Sequence, residues 1–169
     1  MARSRDLVPF GVAARMSPAG ARNAASSVAG DSSVSLSPEL IALRAAADAA
    51  RDHAWCPYSN FPVGAALVAD DGRVFSGCNV ENASYPAGTC AERVALGAAI
   101  TAGARRFSRV VITSAAHDPT PPCGICRQAL VEFAPHLDII AISPDGRASR
   151  WSLADLLPAP FTPASLENA

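Results

Sequence analysis

The sequence predicts a layered α/β domain with a central sheet, on three observations. Apolar residues at helical spacing alternate along the chain with short apolar runs of strand length. Turn signals such as Asp71-Gly72 and Pro144-Asp145-Gly146 punctuate those runs. Half of the 169 residues are apolar, enough to bury a single core of ordinary domain size.

Residues 1–34 are rich in Ala, Ser, Gly and Arg and show no period. They are expected to form a disordered N-terminal tail, because they offer too little apolar surface to offset the entropy of ordering them. Arg3, Arg5, Arg15 and Arg22 against Asp6 and Asp31 also suit an organelle transit peptide, and Met16 offers an alternative start. Residues 35–169 form the expected folded domain, with order beginning at Ser37. Ser37 can cap a helix whose first position holds Pro38, where a missing N–H costs nothing. Leu40, Leu43, Ala47, Ala50 and Ala54 continue that helix, and Pro57 ends it.

Gly64–Val68 and Arg73–Val80 read as a hairpin turning at Asp71-Gly72. Cys90–Ala102 reads as a second helix closed by Gly103. Phe107–Thr113 is a strand, with Val110, Val111 and Ile112 in a row as in a buried sheet. Cys123–Phe133 is a third helix and Leu137–Ile142 another apolar strand. Ala148–Trp151 reads as a short last strand, and a brief helix over Leu153–Leu157 stops at Pro158.

Composition narrows the function. Net charge is −1 and the basic residues, all of them Arg, are scattered, so no nucleic-acid partner is expected. No apolar run approaches the roughly 20 residues that span a bilayer, so no membrane partner is expected and the chain is placed in the cytoplasm. Five cysteines, an odd number with no recognisable secretory leader, argue for metal binding or free thiols over a disulfide framework.

Two segments carry the chemistry: Cys90-Ala91-Glu92-Arg93 and Pro121-Pro122-Cys123-Gly124-Ile125-Cys126-Arg127-Gln128. A Cys-x-x-Cys pair at a helix start sits where the macrodipole and free N–H groups favour thiolates. Zinc takes tetrahedral thiolate or imidazole ligands, and a catalytic zinc keeps one position open. Cys123 and Cys126 supply two ligands, and Cys90 is the natural third. Glu92, two residues past a ligand, can lean toward the open position and move protons there. Three thiolates leave a negative site, which Arg93 or Arg127 can offset by hydrogen bonding to the sulfurs. A structural zinc site is the bland alternative, but no fourth ligand is placed for it. Cys56 and Cys78 lack ligand spacing and read as small buried apolar residues.

The chain resembles the cytidine deaminases, in their small all-cysteine branch. A ligand-x-Glu segment followed by Pro-Cys-x-x-Cys is the signature of zinc deaminases. The likeness runs from about Leu40 to Phe161 and includes Pro57-Tyr58-Ser59-Asn60-Phe61, Val63-Gly64-Ala65-Ala66 and Gly77-Cys78-Asn79-Val80-Glu81-Asn82. It implies a three-layer α/β/α sandwich with a central mixed sheet of about five strands, one zinc per subunit and a homotetramer. The implied reaction is hydrolysis of cytidine and deoxycytidine to uridine and deoxyuridine with release of ammonia, as in pyrimidine salvage. Asn79 and Glu81 would then grip the 3′ hydroxyl of the sugar, Phe61 would pack on the pyrimidine, and backbone near Ala91 would help hold the base. Tyr85 and Phe161 would approach a neighbouring subunit's site. The tail and Cys56 depart from the family pattern.

Rival readings remain at this point. One is a deaminase of aminoglycosyl-cytosine antibiotics or of a free base, for which Asn79 and Glu81 discriminate. Another is a polynucleotide deaminase, which would need a basic groove and aromatic platforms. A third is a non-catalytic zinc module, which Glu92 opposes.

Overall fold

The computed structural model describes residues 30, 31 and 34–167. Helix α1 (Pro38–Arg51) starts as its sequence requires: the Ser37 hydroxyl accepts the Leu40 N–H at 3.3 Å, and Pro38 occupies the first turn. It stops at Arg51, short of Ala54, because the following residues pair elsewhere. Trp55 bridges Val80 and donates its N–H to the Asn79 carbonyl. Strands β1 (Val63–Ala69) and β2 (Val74–Cys78) form the expected hairpin, with Gly72 at φ 85° in the turn. Strand β2 ends before Val80, which bridges Trp55 and Thr89 instead.

A 3-10 turn at Tyr85–Ala87 leads to α2 (Ala91–Thr101), β3 (Phe107–Ser114) and α3 (Gly124–Val131). Strands β4 (Asp138–Ile142) and β5 (Ala148–Ser152) follow, then the short helices α4 (Leu153–Leu156) and α5 (Pro163–Glu167). The expected α/β elements are all present within a few residues of their expected bounds. The 3-10 turn and α5 are additions that no hydrophobic period announces.

The five strands form one mixed sheet in the order β2-β1-β3-β4-β5, with β3 and β4 parallel and the other pairs antiparallel. Side chains alternate across it. Val111, Ile140 and Ile142 face one way and pack with Leu40 and Leu43 of α1. Val110, Ile112, Ile139 and Ala141 face the other way and pack with α2, α3 and α4 through Ala95, Leu130 and Leu153. Three layers result, as the resemblance implies.

Two glycines set how closely the helices approach. A Cβ at Gly64 would overlap the Ala47 carbonyl of α1, and one at Gly77 would meet the backbone of α2 at Ala91 and Ala95. These positions lie on opposite faces of neighbouring strands, so each helix layer is seated on a glycine. Seating α2 this low is what brings its first turn to the end of the sheet.

The chain ahead of α1 also packs, which corrects the expectation that order begins at Ser37. Asp31 and Arg150 of β5 exchange backbone hydrogen bonds of 3.0 and 3.1 Å, and Val34 and Leu36 cover the α1-side core. The rest of the expected tail, residues 1–29, 32 and 33, lies outside the described residues. Among the described residues no helix is long and apolar enough to cross a membrane.

Candidate metal centre and active site

Both thiol-bearing helices begin at a thiol. Cys90 is the N-cap of α2, Cys123 is the N-cap of α3, and Cys126 sits in the first turn of α3. Each helix start therefore points unpaired N–H groups and the positive end of its dipole at the sulfurs. The Cys90 and Cys123 Sγ atoms are 3.8 Å apart, those of Cys123 and Cys126 are 3.4 Å apart, and all three lie within 4.8 Å. Tetrahedral zinc with Zn–S near 2.3 Å spaces its sulfurs about 3.8 Å apart. The cluster thus fits a zinc ion. Among the described residues no fourth Cys, His, Asp or Glu joins the group, which leaves one tetrahedral position free of protein. Cys56 and Cys78 are half-buried and stand outside it.

Hydrogen bonding to Cys126 lowers the Cys90 thiol to about 5 against its own burial, with Cys123 and the Arg93 charge assisting. The same contact, with burial, pushes Cys126 up. A metal ion that takes all three sulfurs as thiolates therefore displaces protons on binding.

Glu92, in the first turn of α2, is only 5% exposed. Burial raises its carboxyl above the usual range, and the Cys90 charge adds to that. With Cys90 and Cys123 it lines a cavity of about 360 Å³, whose other walls include Phe61, Asn79 and Glu81. Ile112 and Ser114 place this cavity at the C-terminal end of β3, a strand paired in parallel with β4. Open α/β sheets bind ligands at such strand ends.

The segment before β1 forms the rim. Asn79 accepts the Val63 N–H on Oδ1 at 2.8 Å and donates Nδ2 to the Phe61 carbonyl. Glu81 accepts the N–H groups of Tyr58 and Ser59 at 2.9 and 3.2 Å. Hydrogen bonds from Ser59 and Tyr58 hold its carboxyl below the usual range. Asn60 sits at φ 54°, a left-handed conformation that Asn tolerates. Phe61 is left 37% exposed at the mouth.

Ala91 is fully buried beneath Gly77. Tyr85 is 77% exposed, packs edge-on to Tyr58 at 6.1 Å and lines a hollow beside the cavity that shares Ser59 and Glu81 with it. Phe161 is 59% exposed and does not line its own chain's cavity. Arg93 donates Nη2 to the Gly88 carbonyl, and its buried Nε has no hydrogen-bond partner among the described residues. Arg127 donates to the backbone carbonyls of Pro122 and Leu156 at 2.8 and 2.9 Å, bracing the α3 start. Ser114 and Thr120, which the sequence does not single out, and Ser59, which it names in a segment without giving it a role, also line the cavity wall. Ser114 had a signal, since it closes an apolar strand just before a loop.

The residues 39–141 match the family described as the cytidine and deoxycytidylate deaminase zinc-binding region. A cytidine deaminase of Sporosarcina psychrophila is 40% identical over 121 residues, covering 71% of this chain and 89% of that protein. The cytidine deaminase of Mycobacterium tuberculosis is 41% identical over 119 residues, 70% of this chain and 86% of that one. Among solved structures, cytidine deaminase from Burkholderia pseudomallei superposes with a TM-score of 0.69 at 49% identity, covering 72% of this chain and 98% of that one.

Proposed function

This chain belongs to the cytidine and deoxycytidylate deaminase family, and we propose on that footing that it hydrolyses cytidine and deoxycytidine to uridine and deoxyuridine with release of ammonia. One observation carries the reading: the buried Glu92 carboxylate shares a cavity with two sulfurs of a cluster that fits zinc. Zinc held by Cys90, Cys123 and Cys126 supplies, when bound, Lewis-acid activation of a water.

Glu92 does the proton work. Its carboxylate accepts a proton from the attacking water as the oxygen bonds to C4 of the pyrimidine, and gives that proton to ring N3. It then carries the hydroxyl proton to the departing amine as the C4–N4 bond breaks. Burial supports both halves, because raising the carboxyl toward the operating pH strengthens it as a base and lets it hold the proton it must later return.

Phe61 packs on the pyrimidine, backbone near Ala91 helps hold the base, and Asn79 and Glu81 receive the 3′ hydroxyl. Supporting this, Phe61, Asn79 and Glu81 share one cavity with Glu92. Arg93 offsets the charge of the thiolates, as its lowering of Cys90 suggests. Arg127, turned to carbonyls, contributes through the placement of α3.

The assembly is a homotetramer in which Tyr85 and Phe161 reach neighbouring sites. Supporting this, both rings are largely exposed in the single chain, along with Trp55 and Tyr58. The partner is a small nucleoside and the setting is cytoplasmic pyrimidine salvage, with no polynucleotide bound.

The reading is tested by incubating purified protein with cytidine and following conversion to uridine by absorbance. No conversion, with zinc present, would refute it. Mass in solution, measured alongside activity on dilution, tests the assembly: a fully active monomer removes the shared site.

A further inference from the structure

Helix α3 does more than carry two thiols. Gln128 lies two residues after Cys126, and its side-chain amide meets the Phe161 backbone twice. Nε2 donates to the Phe161 carbonyl at 2.7 Å, and Oε1 accepts the Phe161 N–H at 3.3 Å. One amide thus pairs with both polar groups of one residue, as two peptide groups do in a strand ladder. The preceding residue, Arg127, holds the Leu156 carbonyl at 2.9 Å. The segment leaving α4 is therefore tied to α3 at two points, Leu156 and Phe161.

Between those points lie Leu157, Pro158, Ala159 and Pro160, with no regular structure. Leu157 is held by its N–H to the Leu153 carbonyl and by packing on the core, but Pro158 and Pro160 beyond it have no N–H to anchor the backbone and restrict φ. The Gln128 pair is what locates the far end of the stretch. Yet the Phe161 ring remains mostly exposed. A backbone pinned twice under an outward aromatic ring presents that ring; it does not bury it for core stability.

We propose that Gln128 is a positioning residue, fixing Phe161 relative to the thiol-bearing helix so that its ring is held out to cover a nucleoside bound by another copy of this chain. The role rests on the deaminase reading above, which supplies the nucleoside and the neighbouring copy. Loss of the clamp leaves Glu92 and the three thiols untouched. The effect therefore falls on substrate binding, with the chemical step and the metal preserved.

The test combines Gln128→Ala, Phe161→Ala and the double variant with two readouts. With cytidine, each single variant is expected to raise KM about fivefold to tenfold with kcat and zinc content near wild type, and the double variant to be no worse than the worse single. Hydrogen exchange at the Phe161 amide is expected to quicken in Gln128→Ala. Multiplying effects in the double variant would overturn the proposal, because the two side chains would then act independently. So would an unchanged Phe161 exchange rate, or a Gln128→Ala protein that loses zinc or kcat at constant KM. A wild-type protein inert on cytidine would refute the deaminase reading, and the exchange rate would then decide the clamp by itself.

Discussion

Asn79 donates its side-chain amide to the Phe61 carbonyl at 2.9 Å, across 18 residues of sequence. Its other polar atom takes the Val63 N–H, so this one side chain stitches the end of β2 to the rim of the cavity. Asn79→Ala takes this partner from the part-buried Val63 N–H, at an expected cost of about 1–3 kcal/mol of stability, while the exposed Phe61 carbonyl can turn to water. KM for cytidine is expected to rise with it, as Phe61 loses its anchor. Denaturant unfolding and steady-state kinetics on one preparation check this; wild-type values in both would show that the rim holds itself.

Glu92→Gln keeps the shape of the side chain and removes its proton-accepting charge. Turnover of cytidine is expected to fall roughly 100- to 10,000-fold, with zinc still bound, because no sulfur is touched. Turnover near wild type would mean another group moves the protons.

Metal analysis is expected to find one zinc per chain, held at the three-cysteine cluster. Cys123→Ala removes the N-cap of α3 from that cluster and is expected to lose both the metal and part of the fold's stability. A fully active, metal-free preparation would contradict the assignment.

Two glycines separate close packing from helix propensity. Gly64→Ala drives a methyl into the α1 backbone and is expected to destabilise by about 1–3 kcal/mol or more. Gly97, inside α2, has open space around it, so Gly97→Ala is expected to stabilise by about 0.5–1 kcal/mol. Thermal midpoints of the two variants moving in the same direction would refute this account of the α1 layer.

Arg147 joins the β4–β5 turn to the segment before α3, donating to Asp145 at 2.8 Å and Asp118 at 2.7 Å and also meeting the His117 carbonyl. Hydrogen bonds from Ser143 and then Arg147 hold Asp145 at about 2, below its ordinary 3.8. Asp118 is lowered by Arg147 and His117. A carboxyl lowered on folding contributes stability above its unfolded value and loses it as pH falls through the folded one. Arg147→Ala is therefore expected to be less stable than wild type at neutral pH, with the gap closing across the window from 3.8 down to about 2. The gap is small, because these groups are exposed and screened. Urea midpoints across that range check it, and a gap independent of pH would assign the effect to packing.

Much of this architecture is readable from local pattern, because local pattern is what positions it. The Ser37-Pro38 cap, the Asp71-Gly72 turn and the valine-rich β3 depend on residues a few positions apart. The thiols are legible for the same reason: each stands at a helix start that its own neighbours define. What escapes is set by distant partners. Helix α1 ends early because Trp55 pairs with Val80, and Val34 and Leu36 find the α1-side core only once the sheet exists. Gln128 meets Phe161 across 33 residues, a relation without spacing signature. The Tyr85–Ala87 turn and α5 are too short to show an amphipathic period.

The juxtaposition of Cys90 and Cys123 has a bearing on the protein's lifetime. The two sulfurs lie 33 residues apart in the chain, so an ion joined to both turns α2, β3 and the start of α3 into a closed ring. The unfolded chain has no such ring, and the ion's affinity for the folded form adds to folding free energy by mass action. Resistance to proteases is therefore expected to rise and fall with free zinc, independently of any substrate. Pulse proteolysis with and without a chelator measures this, and equal digestion in both would exclude it.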